Sequence, residues 1–407
     1  MTKTNGHSRV PSASEVASLN EVTLVTGAGG SIGSSLAHRL FASNIYSAYA
    51  NQSSNSDQHV RARHRCAPAW QDAARTLVLL DHSEQNLYEI HSELSSAVAN
   101  THPSLRIIPI LGDVNDALLL EDLFEKYRPT QILHAAAFKH VPLMEENPIA
   151  VIRNNILGTW TLAAAAAKHR AHRLTMVSTD KAANPRSIMG AAKHVAELIL
   201  TRLDTSATRM RSIRLGNVSG STGSVLPLFQ RQIQNGGPVT VTHPEACRYF
   251  LSLEEATNLI LATASLDDPG TLFVPELGQP VKILDLAEKL IRESAASTRR
   301  DASAASASPE RKIEIVFTGL RPGDKLFENL LSSSESAEPT THPKLRRISG
   351  PFPAARSLDS AISSISEKVQ SRDLPALLDI IRTLVPGYHP SDALAALTST
   401  HLYAAKA

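Results

Sequence analysis

Cysteine is nearly absent, with only Cys66 and Cys247 in 407 residues. Their wide separation offers neither a disulfide framework nor a metal-type spacing, so no metal is expected and a reducing compartment suits the chain. Aromatic side chains are 4% of the total, too few for a platform on which single-stranded nucleic acid stacks between basic residues. Neither sign of charge dominates. Forty-one Lys and Arg stand against 39 Asp and Glu, a formal net charge of +2, so there is no broad basic footprint for nucleic acid. Long apolar runs are missing too: Leu162–Ala167 is the longest uncharged one, far short of the ~20 residues of a membrane span. The Ser-rich start, Met1–Asn20, has no apolar core segment and does not read as a secretory signal. What remains is a cytoplasmic enzyme or binding protein, with 42% hydrophobic residues as in ordinary globular chains.

Apolar strand-like runs occur at Glu21–Thr26, Thr76–Asp81, Arg106–Leu111, Gln131–Ala135, Arg173–Ser178 and Ser212–Leu215. Between them lie stretches of helical periodicity at Ser31–Ala42, Glu84–Ala97, Ala117–Tyr127, Ile149–Lys168 and Met189–Leu203. Strands alternating with helices imply βαβ units, here an α/β fold with a doubly wound parallel Rossmann sheet. Continuous apolar strands fit a sheet covered on both faces. After Gly216 the alternation stops and Gly, Ser, Pro and Thr crowd the chain, which marks a smaller substrate-binding lobe with segments returning to the main sheet. The expected division is a disordered leader 1–20, a dinucleotide-binding domain 21–215 and a lobe 216–331. A linker and C-terminal helices follow over 332–407. Insertions at 43–74 and 294–309 read as flexible, and the first falls at the amino-terminal edge of the sheet, away from a cofactor.

Gly27-Ala28-Gly29-Gly30-Ser31-Ile32-Gly33 directly follows the first strand and opens a helix. Glycines at 27, 30 and 33 permit a tight turn, close approach to a pyrophosphate and close helix packing. The helix start offers N–H groups to phosphates. Asp81 ends the second strand, where a carboxylate accepts from ribose hydroxyls and repels a 2′-phosphate. No Arg follows closely, so NAD is expected in preference to NADP. Asp81 and Ser83 are equally suited to capping the next helix. After the third strand, Asp113, followed by Val114, reads either as an adenine contact or as a turn residue.

At the fifth strand end comes Ser178-Thr179-Asp180-Lys181, and eight residues later Met189-Gly-Ala-Ala-Lys193. With VTGAGGSIGSSL (25–36), HAAAFKHVPLMEENP (134–148), NNILGT (154–159), STDKAANPRSIMGAAK (178–193), RLGNVSGSTGSVLPLF (214–229) and FTGLRPGDKLFE (317–328), the chain resembles a known group. This is the CapD-like polysaccharide-biosynthesis family of the extended short-chain dehydrogenases/reductases.

The resemblance implies a nucleotide-sugar 4,6-dehydratase with NAD, acting on UDP-N-acetylglucosamine or, as a close relative, on another UDP-hexose. C4 oxidation acidifies the C5 proton, a base removes it while an acid assists loss of the C6 hydroxyl, and hydride returns to C6. By the family pattern Thr179 binds the C4 oxygen, Asp180 is the acid and Lys181 the base. Asp180 would then need a raised pKa and Lys181 partial neutrality, both favoured by burial. Lys193 matches the lysine that holds the nicotinamide ribose, while Met189 fills the usual Tyr position. A thioether cannot exchange the C4 proton, which leaves that base unassigned between Thr179 with water and Lys181. Ala135 and Ala136 fall beside the nicotinamide. Lys139 resembles a substrate-side residue and Asn154 the helix Asn that fixes the active-site backbone. Asn217, Arg248 and Arg321 match diphosphate contacts, and Glu328 an acceptor from the uridine ribose. The family also implies a homo-oligomer formed through the helices 149–168 and 189–203. A C4 epimerase or a catalytically silent NAD or UDP-sugar binder are the alternative functions.

Overall fold

A computed structural model of the chain describes residues 22–52, 76–101, 105–301, 313–351 and 355–399. The leader and most of the first insertion lie outside the described residues. Strand β1 (Val22–Thr26) is buried at all positions, as expected where helices cover both sheet faces. The chain continues through α1 (Ser31–Gln52), β2 (Thr76–Asp81), α2 (Glu84–Thr101), β3 (Arg106–Leu111), α3 (Ala117–Tyr127) and β4 (Gln131–His134). Then come α4 (Val141–Glu146), α5 (Pro148–Val151), a π-turn over Ile152–Leu157, α6 (Gly158–Lys168) and β5 (Arg173–Thr179). A 3₁₀ turn (Asp180–Ala182), α7 (Ile188–Leu203) and β6 (Arg209–Leu215) complete this half. The six strands are parallel neighbours in the order β6-β5-β4-β1-β2-β3. This is a doubly wound Rossmann sheet. Its order reverses between β1 and β4, and a crevice opens at the carboxyl ends of strands at such a point.

The smaller lobe is built from β7 (Asn217–Val218), α8 (Val225–Gln234), β8 (Val239–Val241), β9 (Cys247–Arg248) and β10 (Phe250–Leu251). It is interrupted by α9 (Leu253–Ser265) and β11 (Leu272–Pro275), then resumes with β12 (Val281–Lys282), α10 (Ile283–Asp301) and β13 (Ile315–Phe317). Phe229, Val239, Val241 and Ala287 form its own small core. Strand β11 leaves the lobe and pairs in parallel with β6. Helices α1 and α10 both run on into the stretches expected as flexible insertions, to Gln52 and Asp301.

The expected linker is partly a β-hairpin. Strands β14 (Ser336–Pro339) and β15 (Leu345–Ser349) pair antiparallel, and β15 pairs with β11, so the main sheet has nine strands. The hairpin escapes pattern reading because Ser-Ala-Glu-Pro of β14 is largely exposed and carries no apolar alternation. Helices α11 (Ala355–Ser371) and α12 (Leu374–Leu384) pack on α7, α11 also on the π-turn, and α13 (Asp392–Leu397) on α4. Leu377 and Ile381 share one buried cluster with Ile156, Leu162 and Ile199. The chain's own C-terminal helices thus pack on part of the face expected for self-association, on α7 and the π-turn. No helix among the described residues is long and apolar enough to cross a membrane.

Candidate active site

The ends of β1, β4 and β5 face the lobe across a cleft of about 1170 Å³. At its floor Gly27 has φ +66°, and a Cβ there would stand 2.7 Å from the backbone of Ala136. A Cβ on Gly33 would lie 1.9 Å from the Gly27 carbonyl oxygen. Turn, helix and the β4 loop therefore approach more closely than any side chain allows. Gly27, Gly30, Ser31, Ile32, Gly33 and Ala135 line the cleft, where the first N–H groups of α1 have no intrahelical acceptor. This cradle fits a dinucleotide pyrophosphate. Asp81 is buried behind it, and its two oxygens accept from Gly29 N and Ser83 N, both at 2.9 Å. It fixes the glycine turn and the entry to α2 together. Asp113 accepts from Asn115 N and Nδ2 at 2.9 and 2.8 Å, the turn chemistry foreseen as its alternative. Val114 is buried close to Gly158, and neither residue is part of the cleft wall.

A hydrogen-bonded chain braces the strand ends. Thr26 Oγ1 lies 2.7 Å from His134 Nδ1, and His134 Nε2 lies 3.1 Å from Thr159 Oγ1. Thr159 donates its hydroxyl proton to the Asn155 carbonyl at 2.8 Å, so it accepts from His134 Nε2–H, and Thr26 donates to Nδ1. Burial, with the nearby charge of Lys193, pushes the imidazole down to about 3. Asn155 Oδ1 and Nδ2 bind the Phe138 N–H and carbonyl, each at 2.9 Å. Asn155, not the expected Asn154, therefore fixes the loop after β4. Asn154 is one step removed and donates to Asn155 Oδ1 at 2.9 Å. The π-turn over Ile152–Leu157 rotates this doublet relative to a regular α-helix.

Thr179, Lys181, Met189 and Lys193 line the opposite wall. Asp180 is fully buried, and its Oδ1 accepts from Thr179 Oγ1 and Lys181 Nζ, both at 2.9 Å. Its Oδ2 is buried without a hydrogen-bond partner among the described residues. Lys181 Nζ also donates to Asn217 Oδ1 at 3.2 Å and lies 3.7 Å from Glu328. The surroundings of Lys181 oppose the expected partial neutrality. Burial pulls its ammonium down, but the Asp180 and Glu328 carboxylates outweigh it and hold the group above its ordinary value. Lys193 behaves as expected of a desolvated lysine, lowered to about 8 by burial against a smaller opposing pull from Glu197. Met189 and Lys193 are four residues apart on α7 and so share a face. Ser187 caps that helix by accepting from Gly190 N at 3.1 Å.

On the substrate side Lys139, Asn217, Arg248 and Arg321 line the cleft. Arg321 is exposed at the rim, its Nε 2.8 Å from Asp324. The Arg248 guanidinium donates to the carbonyls of Cys247, Lys325 and Leu326 at 2.7–3.1 Å, which holds β9 against the segment after the Arg321 turn. Glu328 is not placed to meet a ribose from the cleft. It is buried among Lys181, Arg248 and Lys325 at 3.4–3.9 Å, where it balances cations beneath the site. Asn155, His134 and the ion pair of Glu197 on α7 with Arg214 on β6, 2.7 Å apart, were missed in the sequence. The spacing of Glu197 one turn after Lys193 was the available signal.

Fold and cleft together define an extended short-chain dehydrogenase/reductase. Residues 63–350 match the family described as polysaccharide biosynthesis protein, and the chain belongs to that family. It is 41% identical over 330 residues to the capsular polysaccharide biosynthesis protein CapD of Staphylococcus aureus, covering 81% of this chain and 48% of that protein. A UDP-glucose 4-epimerase of Rickettsia rickettsii is 32% identical over 249 residues, 59% of this chain and 66% of the other. The chain spans about half the length of the CapD-type curated relatives it matches. Among solved structures, Pen from Bacillus thuringiensis aligns with a TM-score of 0.64 at 24% identity, over 82% of this chain and 88% of that one. DesIV, a dTDP-glucose 4,6-dehydratase from Streptomyces venezuelae with NAD bound, aligns with a TM-score of 0.55 at 20% identity, over 76% and 88%.

Proposed function

We propose that the chain is an NAD-dependent nucleotide-sugar 4,6-dehydratase acting on UDP-N-acetylglucosamine for polysaccharide or glycoconjugate synthesis. The carrying observation is the ion pair between buried Asp180 and half-buried Lys181, 2.9 Å apart at the end of β5. Epimerisation at C4 has no use for an adjacent acid and base, whereas elimination across C5 and C6 needs both. The glycine turn, Asp81 and Lys193 would hold NAD, whose chemistry there is to take a hydride from the sugar and give it back. Asp81, with no Arg beside it, favours NAD over NADP.

The pair holds one proton in its resting, ion-paired form. The reactive form, with neutral lysine and protonated aspartate, differs only by a proton shift along the hydrogen bond between them. Substrate that displaces water disfavours separated charges and so favours that neutral form. Lys181 Nζ then accepts the C5 proton while Asp180 gives its proton to the departing C6 hydroxyl, which regenerates the ion pair. At C4, where Met189 cannot act, Thr179 Oγ1 takes the hydroxyl proton and relays a proton to water as the hydride leaves, and after hydride return to C6 the Lys181 ammonium gives its proton back to C5. Asn217 and the Arg248 and Arg321 side chains present donors to the UDP diphosphate.

Incubation with UDP-N-acetylglucosamine and mass analysis tests the reading. Loss of water is expected, and Asp180→Asn or Lys181→Ala should each lower that rate by ~10²–10⁴ with NAD binding retained. An unchanged mass with an altered sugar would mean an epimerase. No turnover, restored by Met189→Tyr, would mean a chain silenced by that side chain.

A further inference from the structure

We propose that Glu145 is a positioning residue that joins the C-terminal segment, through Ser391, to the Arg321–Asp324 turn on the substrate side of the cleft. Glu145 lies in the last turn of α4 and is 3% exposed, a placement that costs stability unless the carboxylate is satisfied. Both oxygens are engaged, and by different parts of the chain. Oε1 accepts from Ile188 N at 2.8 Å, and Oε2 accepts from Ser391 Oγ at 2.6 Å. Ile188 opens α7, the helix that carries Met189 and Lys193, and a negative charge at that end suits the helix dipole. Ser391 in turn caps α13, accepting from Leu394 N at 3.1 Å.

The turn passes close to the same carboxylate from a third direction. At Gly323, with φ +79°, an added Cβ would lie 2.8 Å from Ser187 Cβ, 3.0 Å from Val141 Cγ1 and 3.3 Å from the Glu145 carboxyl carbon. Turn and tail also line one cavity of about 690 Å³, with Pro322 and Asp324 among its walls together with Pro386 and Asp392. Glu145 is thus where α7, the turn and the C-terminal segment meet, and the Ser391 hydroxyl fixes the carboxylate on the tail's side. The consequence for substrate rests on the reading of Arg321 as a diphosphate contact.

The test is amide hydrogen exchange of residues 318–327 in the full chain, compared among the wild type, Ser391→Ala, Ser391→Thr and Asp373→Ala. Ser391→Ala should speed exchange there several-fold, and Ser391→Thr, which keeps the hydroxyl, should restore it. Asp373→Ala removes the cap of α12, an acceptor for Ala376 N at 3.1 Å, and should leave 318–327 unchanged. Equal acceleration by both cap losses would mean that the tail merely stabilises the fold, and no acceleration by Ser391→Ala would sink the coupling outright. Titration with UDP and with NAD separates the two readings. Ser391→Ala should weaken UDP several-fold and leave NAD within twofold. If the wild type binds no UDP while 318–327 still responds to Ser391→Ala, the coupling stands and the diphosphate reading of the turn falls. If UDP binds the wild type and Ser391→Ala equally, the coupling does not reach the site.

Discussion

His134 shows how a buried polar side chain can be fully used without being catalytic. Both ring nitrogens are occupied, by Thr26 and Thr159, and the ring is 1% exposed. Held at about 3 in the folded chain against an ordinary value near 6.5, it leaves the unfolded chain holding more protons below pH 6.5. Folding stability from this group is therefore complete above that pH and is lost as the pH falls toward 3. At pH 5 the loss is about 2 kcal/mol. Urea unfolding at pH 7 and pH 5 should show a smaller acid loss in His134→Gln than in the wild type, by about that amount. Equal losses would mean that the imidazole is charged in place. At this scale the sequence is legible where a motif dictates spacing, as at Gly27 and Gly33. It is illegible where helix geometry decides. Nothing in the Asn154-Asn155 doublet says which amide faces Phe138, because the π-turn is a tertiary outcome.

The elements of the first half were legible from β1 to β6 because each strand carries an apolar stretch, continuous where helices cover both faces as in β1 and β2. The hairpin β14–β15 was not, since an exposed edge needs only backbone pairing. One buried side chain locks that edge to the active-site helix. Arg214 on β6 is 0% exposed and donates to Glu197 of α7 at 2.7–3.2 Å and to Glu335, just before β14, at 2.7–2.8 Å. Burial disfavours its charge, but Glu197 and Glu335 outweigh that and raise its pKa. Glu197 also accepts from Ser178 Oγ at 2.5 Å, so the same cluster supports the strand end that presents Thr179. Removing the cation leaves two buried carboxylates uncompensated, a loss of about 3–5 kcal/mol. Chemical denaturation of Arg214→Met should show it, and adding Glu197→Gln to that variant should recover part of the loss. A cost below about 1 kcal/mol would mean that water reaches these carboxylates.

For the molecule as a whole, the C-terminal helices are part of the main core. Leu374, Leu377 and Ile381 are all 0% exposed, in one cluster that reaches Leu24 of β1 and Ile132 of β4. Trp160 of α6 packs against that cluster. Two arrangements would give the same sequence pattern for α12: a layer docked onto a finished Rossmann unit, or one that folds with it. A shared cluster favours the second, because a cavity opened on one side of it also weakens the packing of the other. Leu377→Ala should cost about 2–5 kcal/mol and should lower the denaturation midpoint reported by Trp160 fluorescence. For an unambiguous signal the other tryptophan, Trp70, is replaced by Phe in both chains compared. The far-UV circular dichroism transition should move with the fluorescence. A Trp160 midpoint that stays fixed while helicity is lost earlier would show that α11 to α13 melt independently. In that case the expected self-association face on α7 would be uncovered before the dinucleotide fold is lost.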